Sequence, residues 1–358
     1  MTYRLLDWLA CSECRSFPLL PTDLTQRAAT RSPSPVSSVQ CESHCGRQQV
    51  RPSEVKPGDC AGCADIEVTE AQIECPRCRA AFRVTDGIPD MIPRDLAKAA
   101  RQAEAPPASR GLHDKAREIR ARDRQAETYD SRRHPFSKHV ELSAILRHLT
   151  VRRGDRILDG GAGTGYVTLP CLRSGAEVLA TDFSRQSLSI LQRAARASAL
   201  PPAHLVQADL CRLPLRNGIF DKAAQAQVLE HLPTPEDRDS ALAETRRVLK
   251  PQGNFVLSVY NSSVWKKRAA ARGETDYAQR EGYHGGEIYY RNFRAQELRS
   301  LLSQYFQVRS IYGVLNQLPR DLEFRSGRVG FWVEKALQMT PLSRLLGRLL
   351  VAECWREP

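Results

Sequence analysis

Two groups of residues have types and spacings that could do chemistry: paired cysteines near the N-terminus and a glycine cluster in mid-chain. Eight of the eleven cysteines form four close pairs, Cys11/Cys14, Cys41/Cys45, Cys60/Cys63 and Cys75/Cys78. Cys11-x2-Cys14 and Cys75-x2-Cys78 each place two thiolates on one tight turn, and two such knuckles complete a tetrahedral four-thiolate zinc site. Four thiolates leave no open position, so a zinc held this way is structural. The inner pairs lie within the sixty residues between Cys14 and Cys75. They admit a second site made of Cys41, Cys45, Cys60 and Cys63, with His44 able to replace one ligand, or else an unmetallated loop. The opening MTYRLLDWLACSEC has no basic region, long apolar stretch or small-residue cleavage site. The cytoplasm is therefore the expected compartment, and metal binding is favoured over disulfides. Cys171, Cys211 and Cys354 stand alone and read as buried small apolar residues.

The glycine cluster is LDGGAGTG, Leu158 to Gly165. Three ligands compete for it. A triphosphate loop needs GxxxxGK[ST], and no lysine follows here. A dinucleotide loop reads GxGxxG/A, whereas Gly161, Gly163 and Gly165 alternate as GxGxG with Tyr166 where the third small residue should fall. A ligand without phosphate is the third, and glycines would let backbone approach it closely where any β-carbon would collide. Asp159 at the strand end suits a ligand ammonium group. Asp182 ends the next strand and is placed to accept ribose hydroxyls. His231 in LEHLP and His284 in GYHGGEIYY are the candidate general bases.

The elements that must position these residues separate into three regions. Residues 1–93 hold the cysteine pairs, with an inserted loop over about 21–70 that includes a Ser/Pro-rich stretch at 30–40. Residues 94–135 read as a charged, partly helical, solvated linker. From 136 to the end, apolar runs alternate with helical patterns, which indicates βαβ units and a mainly parallel sheet. DRILDG, EVLATD, AHLVQAD, FDKAAQAQVL and NFVLSVY are its first five strands, and QVRSIYGV and LLVAECW the last two. Ser184 is the expected N-cap of the helix after EVLATD. The net charge of +12 is uneven: residues 1–90 carry 10 basic and 12 acidic side chains, and the rest 43 and 29. A basic body suits nucleic acid, an acidic metabolite or an anionic membrane surface. No stretch approaches the ~18 uninterrupted apolar residues of a membrane span.

Two resemblances follow from these motifs. LLDWLACSEC with IECPRCRAAFRVTDGIPDMIP resembles the zinc-ribbon family of small activator subunits that partner RNA and protein methyltransferases. It puts forward Cys11, Cys14, Cys75 and Cys78 as zinc ligands. Ser12 stands where that family usually has proline, and the long insert departs from its pattern. The run from Asp159 to Gly165, with Asp182, Asp209 and QVLEHLPTPEDRDSALAETRRVLKPQGNFVLSV, resembles class I S-adenosylmethionine-dependent methyltransferases, in the subgroup of ubiquinone and menaquinone biosynthesis. This resemblance implies an α/β, Rossmann-like seven-stranded mostly parallel sheet of order 3-2-1-4-5-7-6 behind an N-terminal zinc-ribbon domain. It also implies S-adenosylmethionine as cofactor, with Asp159, Gly161, Gly163, Gly165, Asp182, Phe183, Asp209, Leu210 and Gln227 as its binding residues.

Substrate specificity is expected in the two stretches least like the family, 260–293 and 316–348. The second contains VGFWVEKALQMTPLSRLLGRLL, read first as a helix packed on the sheet, with capping the site or touching a membrane or lipid substrate as alternatives. The functional readings, in order, are methyl transfer to a small molecule or lipid, RNA methylation with the ribbon and basic linker as handle, and a non-catalytic adaptor. The slightly acidic ribbon argues against direct RNA contact.

Overall fold

The computed structural model describes residues 1–28, 41–56, 63, 66–102, 110–132, 134–271, 279–316 and 327–358. The stretch 30–40 and Cys60 lie outside the described residues. Strands β1 (Leu20–Ala28), β2 (Ile66–Glu74), β3 (Ala81–Thr85) and β4 (Ile88–Pro89) form an N-terminal antiparallel sheet in the order β1-β2-β3-β4. The ends of the expected inserted loop are thus paired strands, β1 against β2. Helices α1 (Arg94–Arg101) and α2 (Arg110–Tyr129) follow, then α3 (Pro135–Leu149).

Next come β5 (Arg156–Gly160), α4 (Thr168–Arg173), β6 (Glu177–Asp182), α5 (Arg185–Ala197) and β7 (His204–Gln207). They continue into β8 (Phe220–Ala226), α6 (Pro235–Val248), β9 (Leu249–Tyr260) and α7 (Val264–Ala271). The chain then makes a hairpin of β10 (Glu281–His284) and β11 (Ile288–Arg291), followed by α8 (Ala295–Leu302) and β12 (Gln307–Asn316). It ends with α9 (Gly327–Gln338), α10 (Ser343–Leu346) and β13 (Gly347–Trp355). The large sheet runs β12-β13-β9-β8-β5-β6-β7. Counted from β5 this is 3-2-1-4-5-7-6, with β13 antiparallel to both neighbours, as expected.

Local chemistry explains the boundaries. Ser184 caps α5 by accepting the Ser187 amide, and Thr234 caps α6 by accepting that of Asp237, with Pro235 in the first turn. The strand FDKAAQA lacks β-branched residues yet sits in the sheet centre as β8. Ala223, Ala224 and Gln225 are buried there, and Gln225 Nε2 donates to Thr245 of α6 at 2.8 Å.

The N-terminal unit and the large sheet share one apolar core. Trp8 is fully buried, edge-on to Phe220 and His204 with ring centroids 5.6 and 4.8 Å away. Leu5, Leu9, Ile73 and Phe82 pack in the same cluster as Phe255 and Leu257. Asp90 bridges to Gln207, and the Met91 amide donates to the Gln207 carbonyl at 2.8 Å, so the N-terminal unit covers the free edge of β7.

The linker corrects the sequence expectation. Residues 94–135 are not a solvated spacer: α1 and α2 bury Leu96, Ala116 and Ile119 against one another and against Phe183. Among the described residues no helix is long and apolar enough to cross a membrane.

Candidate functional site

At the carboxyl ends of β5, β6, β7 and β8, where open α/β sheets bind ligands, lies a cavity of about 100 Å³. From the expected set, Gly161, Gly163, Asp182, Phe183, Asp209, Leu210, Gln227 and His231 line it. Gly161 lies against β8, where an added Cβ would come within 2.4 Å of Val228. Gly163 has a φ of +53° and open space where a side chain would stand. Asp182 fixes this loop: its carboxylate accepts the Gly163 and Ser184 amides, each at 2.8 Å. Burial pushes its carboxyl above the usual range.

Two expected ligand residues are placed elsewhere. Asp159 is buried beneath the loop, where it accepts the Thr168 hydroxyl at 2.6 Å, and burial pushes its carboxyl up to about 7. It therefore anchors α4 to the loop instead of facing the cavity. Gly165 packs on Leu191 and Leu169, away from the cavity. His284 is also outside the lining. Its ring stacks on Tyr290 at 4.2 Å and lies 6.3 Å from the His231 ring.

His231 is held in one orientation. Its Nδ1 donates to the Tyr289 carbonyl at 2.7 Å, which leaves Nε2 as the acceptor nitrogen. Burial holds its pKa well below the ordinary value, so the ring is neutral. Behind it, Glu141 of α3 accepts the Ser258 hydroxyl at 2.6 Å and the Gln227 amide at 2.7 Å. Glu230 is fully buried, neither of its carboxylate oxygens meets a hydrogen-bonding side chain among the described residues, and burial pushes its carboxyl up to about 8.

The other wall was missed from sequence. Lys115, Glu118, Arg122, Gln125, Ala126 and Tyr129, all on α2, line the cavity. Lys115 Nζ lies 3.1 Å from Asp209 and 2.6 Å from Asp237. Burial works against its charge, but these carboxylates hold it protonated. Arg122 pairs with Glu118 at 3.0 Å. On its other flank α2 is tied to the β10–β11 hairpin, with the Tyr283 hydroxyl donating to Asp114 at 3.1 Å and Arg124 2.5 Å from Glu287. The signal was present in the spacing 115, 118, 122, 125/126, 129, which is one helical face. It was hidden because that face is charged.

The outer cysteines converge as expected. The sulfurs of Cys11, Cys14, Cys75 and Cys78 all lie within 4.8 Å of one another, with Cys11–Cys78 and Cys14–Cys75 at 3.5 Å. Four thiolates around a tetrahedral zinc sit about 3.8 Å apart, so this donor set fits zinc. Burial would raise the Cys75 thiol, but amides of Cys78 and Arg77 pull it down to about 7, which eases loss of its proton to a metal. Among the described residues Cys41, Cys45, Cys63 and His44 form no comparable group. The CESHC turn is instead organised by Asp7, whose carboxylate accepts the amides of Glu42, Ser43 and His44.

Comparison with known proteins matches residues 158–257 to a methyltransferase domain family and residues 2–87 to the Trm112p-like protein family. A candidate methyltransferase of Encephalitozoon cuniculi is 35% identical over 158 residues, covering 42% of this chain and 70% of that protein. The chain belongs to the S-adenosylmethionine-dependent methyltransferases. A ubiquinone biosynthesis O-methyltransferase of Nitrosococcus oceani is 32% identical over 162 residues, or 45% of this chain and 66% of that one. The demethylmenaquinone methyltransferase of Streptomyces avermitilis is 31% identical over 121 residues, or 34% and 49%. The chain spans about half the length of several curated relatives it matches, from 44% to 61%. Among solved structures, a Burkholderia thailandensis 1,6-didemethyltoxoflavin-N1-methyltransferase with bound S-adenosylhomocysteine covers 81% of this chain and 100% of its own, at 18% identity and a TM-score of 0.48.

Proposed function

We propose that this chain transfers a methyl group from S-adenosylmethionine to a small or lipid-like acceptor, with its own Trm112p-like unit serving in cis as a structural zinc ribbon. The observation that carries the acceptor class is the roofing of the cavity by α2, which is itself clamped to the β10–β11 hairpin. Such an enclosure suits an acceptor that enters whole better than a polymer laid across the surface.

S-adenosylmethionine, when bound, supplies an electrophilic methyl on a sulfonium. The Gly161–Gly163 loop and Asp182 are the residues that would hold it, and Arg122 is the cation placed for a carboxylate. His231 Nε2 would take the proton of an acceptor group as that group receives the methyl. A neutral, buried imidazole fixed by Tyr289 suits that role, and His284, stacked on Tyr290, is better placed as packing.

Methyl-labelled S-adenosylmethionine, purified protein and a cell extract would be incubated and split into solvent-extractable, protein and RNA fractions. Label in the solvent-extractable fraction is expected. Label in ribonuclease-sensitive material would replace this acceptor class with RNA, for which the handle would be the groove of Arg83, Arg185 and Arg193 between ribbon and domain. That groove also carries Asp86 and Asp90, and Arg185 already donates to the Ile88 carbonyl. His231→Gln should lower turnover by about 10²-fold or more while leaving cofactor affinity near the parent value. Equal turnover would remove His231 from the chemistry.

A further inference from the structure

Helix α9 buries polar residues and exposes large apolar ones. In a helix packed on a soluble protein, polar residues face water and apolar ones face the core. Here Glu334 and Gln338 are buried, at 5% and 7% exposure, while Trp332 and Met339 are 66% and 85% exposed. The inward face is fully employed. Glu334 accepts the backbone amides of Leu315 and Asn316 at 2.8 and 2.9 Å, as well as the Asn316 and Gln338 side-chain amides. Gln338 accepts Arg147 of α3 at 3.1 Å. This polar seam fixes which way α9 faces, and so fixes Trp332, exposed Ala336 and Met339 in one outward row at i, i+4 and i+7. The following turn and α10 add Leu342 and Leu345, both more than half exposed.

Between residues 327 and 348 every charged side chain but one is a cation. Glu334 is the single acidic residue between 327 and 348, and its carboxylate is turned inward. Lys335 Nζ sits 5.4 Å from the Trp332 ring, and Arg344 and Arg348 are exposed alongside. Tryptophan, methionine and leucine rimmed by cations is the composition of a helix lying in a membrane interface. A second copy of this chain fits poorly. Two-fold pairing of the same patch would bring these cations against their own images.

We propose that the outward row of α9 and α10 is a docking surface for an anionic lipid bilayer, with Trp332, Met339, Leu342 and Leu345 entering the interface and Lys335, Arg344 and Arg348 meeting the headgroups. The surface does not depend on the methyl-transfer reading. It gives that reading a route, because α9 also packs on α3: Phe331 lies 5.0 Å from the His139 ring, on the helix that sends Glu141 beneath the cavity. A bilayer held there would present a lipid-soluble acceptor on the same side of the sheet.

The test is co-sedimentation of the full chain with phosphatidylcholine vesicles, with and without added phosphatidylglycerol, alongside light scattering without lipid. Binding is expected only with the anionic lipid. It should be lost in Trp332→Ala/Met339→Ala, and Lys335→Glu should weaken it roughly tenfold or more. Each variant should keep the parent Tm and S-adenosylmethionine affinity, since its side chain points away from the core. Binding that survives Trp332→Ala/Met339→Ala would assign it to the general basicity of the chain and overturn the proposal. So would no binding by the folded protein, or a dimer that this substitution dissociates. None of these outcomes bears on whether the enzyme methylates, which the label-partition experiment reads separately.

Discussion

Glu230 and His231 are adjacent in sequence and answer burial in opposite directions. His231 loses its proton and keeps a partner in the Tyr289 carbonyl. Glu230 keeps its proton and meets no side-chain partner among the described residues. The consequence for stability has a definite sign. An unfolded chain releases the Glu230 proton near the ordinary glutamate value of 4.5, whereas the folded chain holds it to about 8. Between those values the unfolded state binds fewer protons, so this residue lowers stability steadily as pH rises and adds no further slope above about 8. Glu230→Gln keeps the shape of the neutral acid and removes the penalty. Its Tm advantage over the parent should therefore be small near pH 5, widen through pH 8 and then level. A constant offset across that range would show that Glu230 is ionised and paired in the folded protein. Asp159 illustrates what residue types alone leave open. Its place at the strand end was legible, but whether it faced the ligand or Thr168 depended on the rotation of the loop.

At the scale of elements, α2 decides whether the cavity is open. The free space is about 100 Å³ and α2 supplies one of its walls, so we propose that outward movement of this helix admits the cofactor. Lys115 ties the helix to the large sheet's domain through Asp209 and Asp237. Asp209 is also among the residues that the family resemblance assigns to the cofactor, so we propose that cofactor and Lys115 compete for its carboxylate. Lys115→Met should speed S-adenosylmethionine association in stopped-flow binding. It should also cost roughly 3–5 kcal/mol of stability, because two buried carboxylates lose their cation. An unchanged association rate would mean that the helix is not the gate. The strands, their order and the caps at Ser184 and Thr234 were readable because apolar runs and capping residues act locally. The role of α2 was not, because the face it turns to the cavity carries Lys115, Glu118 and Arg122. A charged stripe reads as solvated until the opposing carboxylates of β7 and α6 are in place.

At the scale of the whole molecule, the two cysteine knuckles were legible as a zinc site, but the docking of that unit on its own chain was not. What joins them is Trp8 against Phe220, Arg4 on Glu177 and the β7 edge against Asp90 and Met91, contacts scattered too widely in sequence to leave a pattern. Since Leu5, Leu9, Ile73 and Phe82 share one core cluster with Phe255 and Leu257, the ribbon and the sheet should not unfold separately. Zinc held by Cys11, Cys14, Cys75 and Cys78 then stabilises the methyltransferase sheet as well as the ribbon, because ligand bound only by the folded state shifts the whole equilibrium. Calorimetry of the full chain should show one transition that moves to lower temperature as a unit on chelation, with Cys75→Ser starting from the lower value and gaining nothing from added zinc. S-adenosylmethionine affinity should fall with it, because Ile92 and Leu96, leaving the ribbon, form the seat on which α2 packs beside Phe183. Two separable transitions, with the upper one indifferent to chelator, would make the ribbon a passenger and leave the cofactor site to stand on the sheet alone.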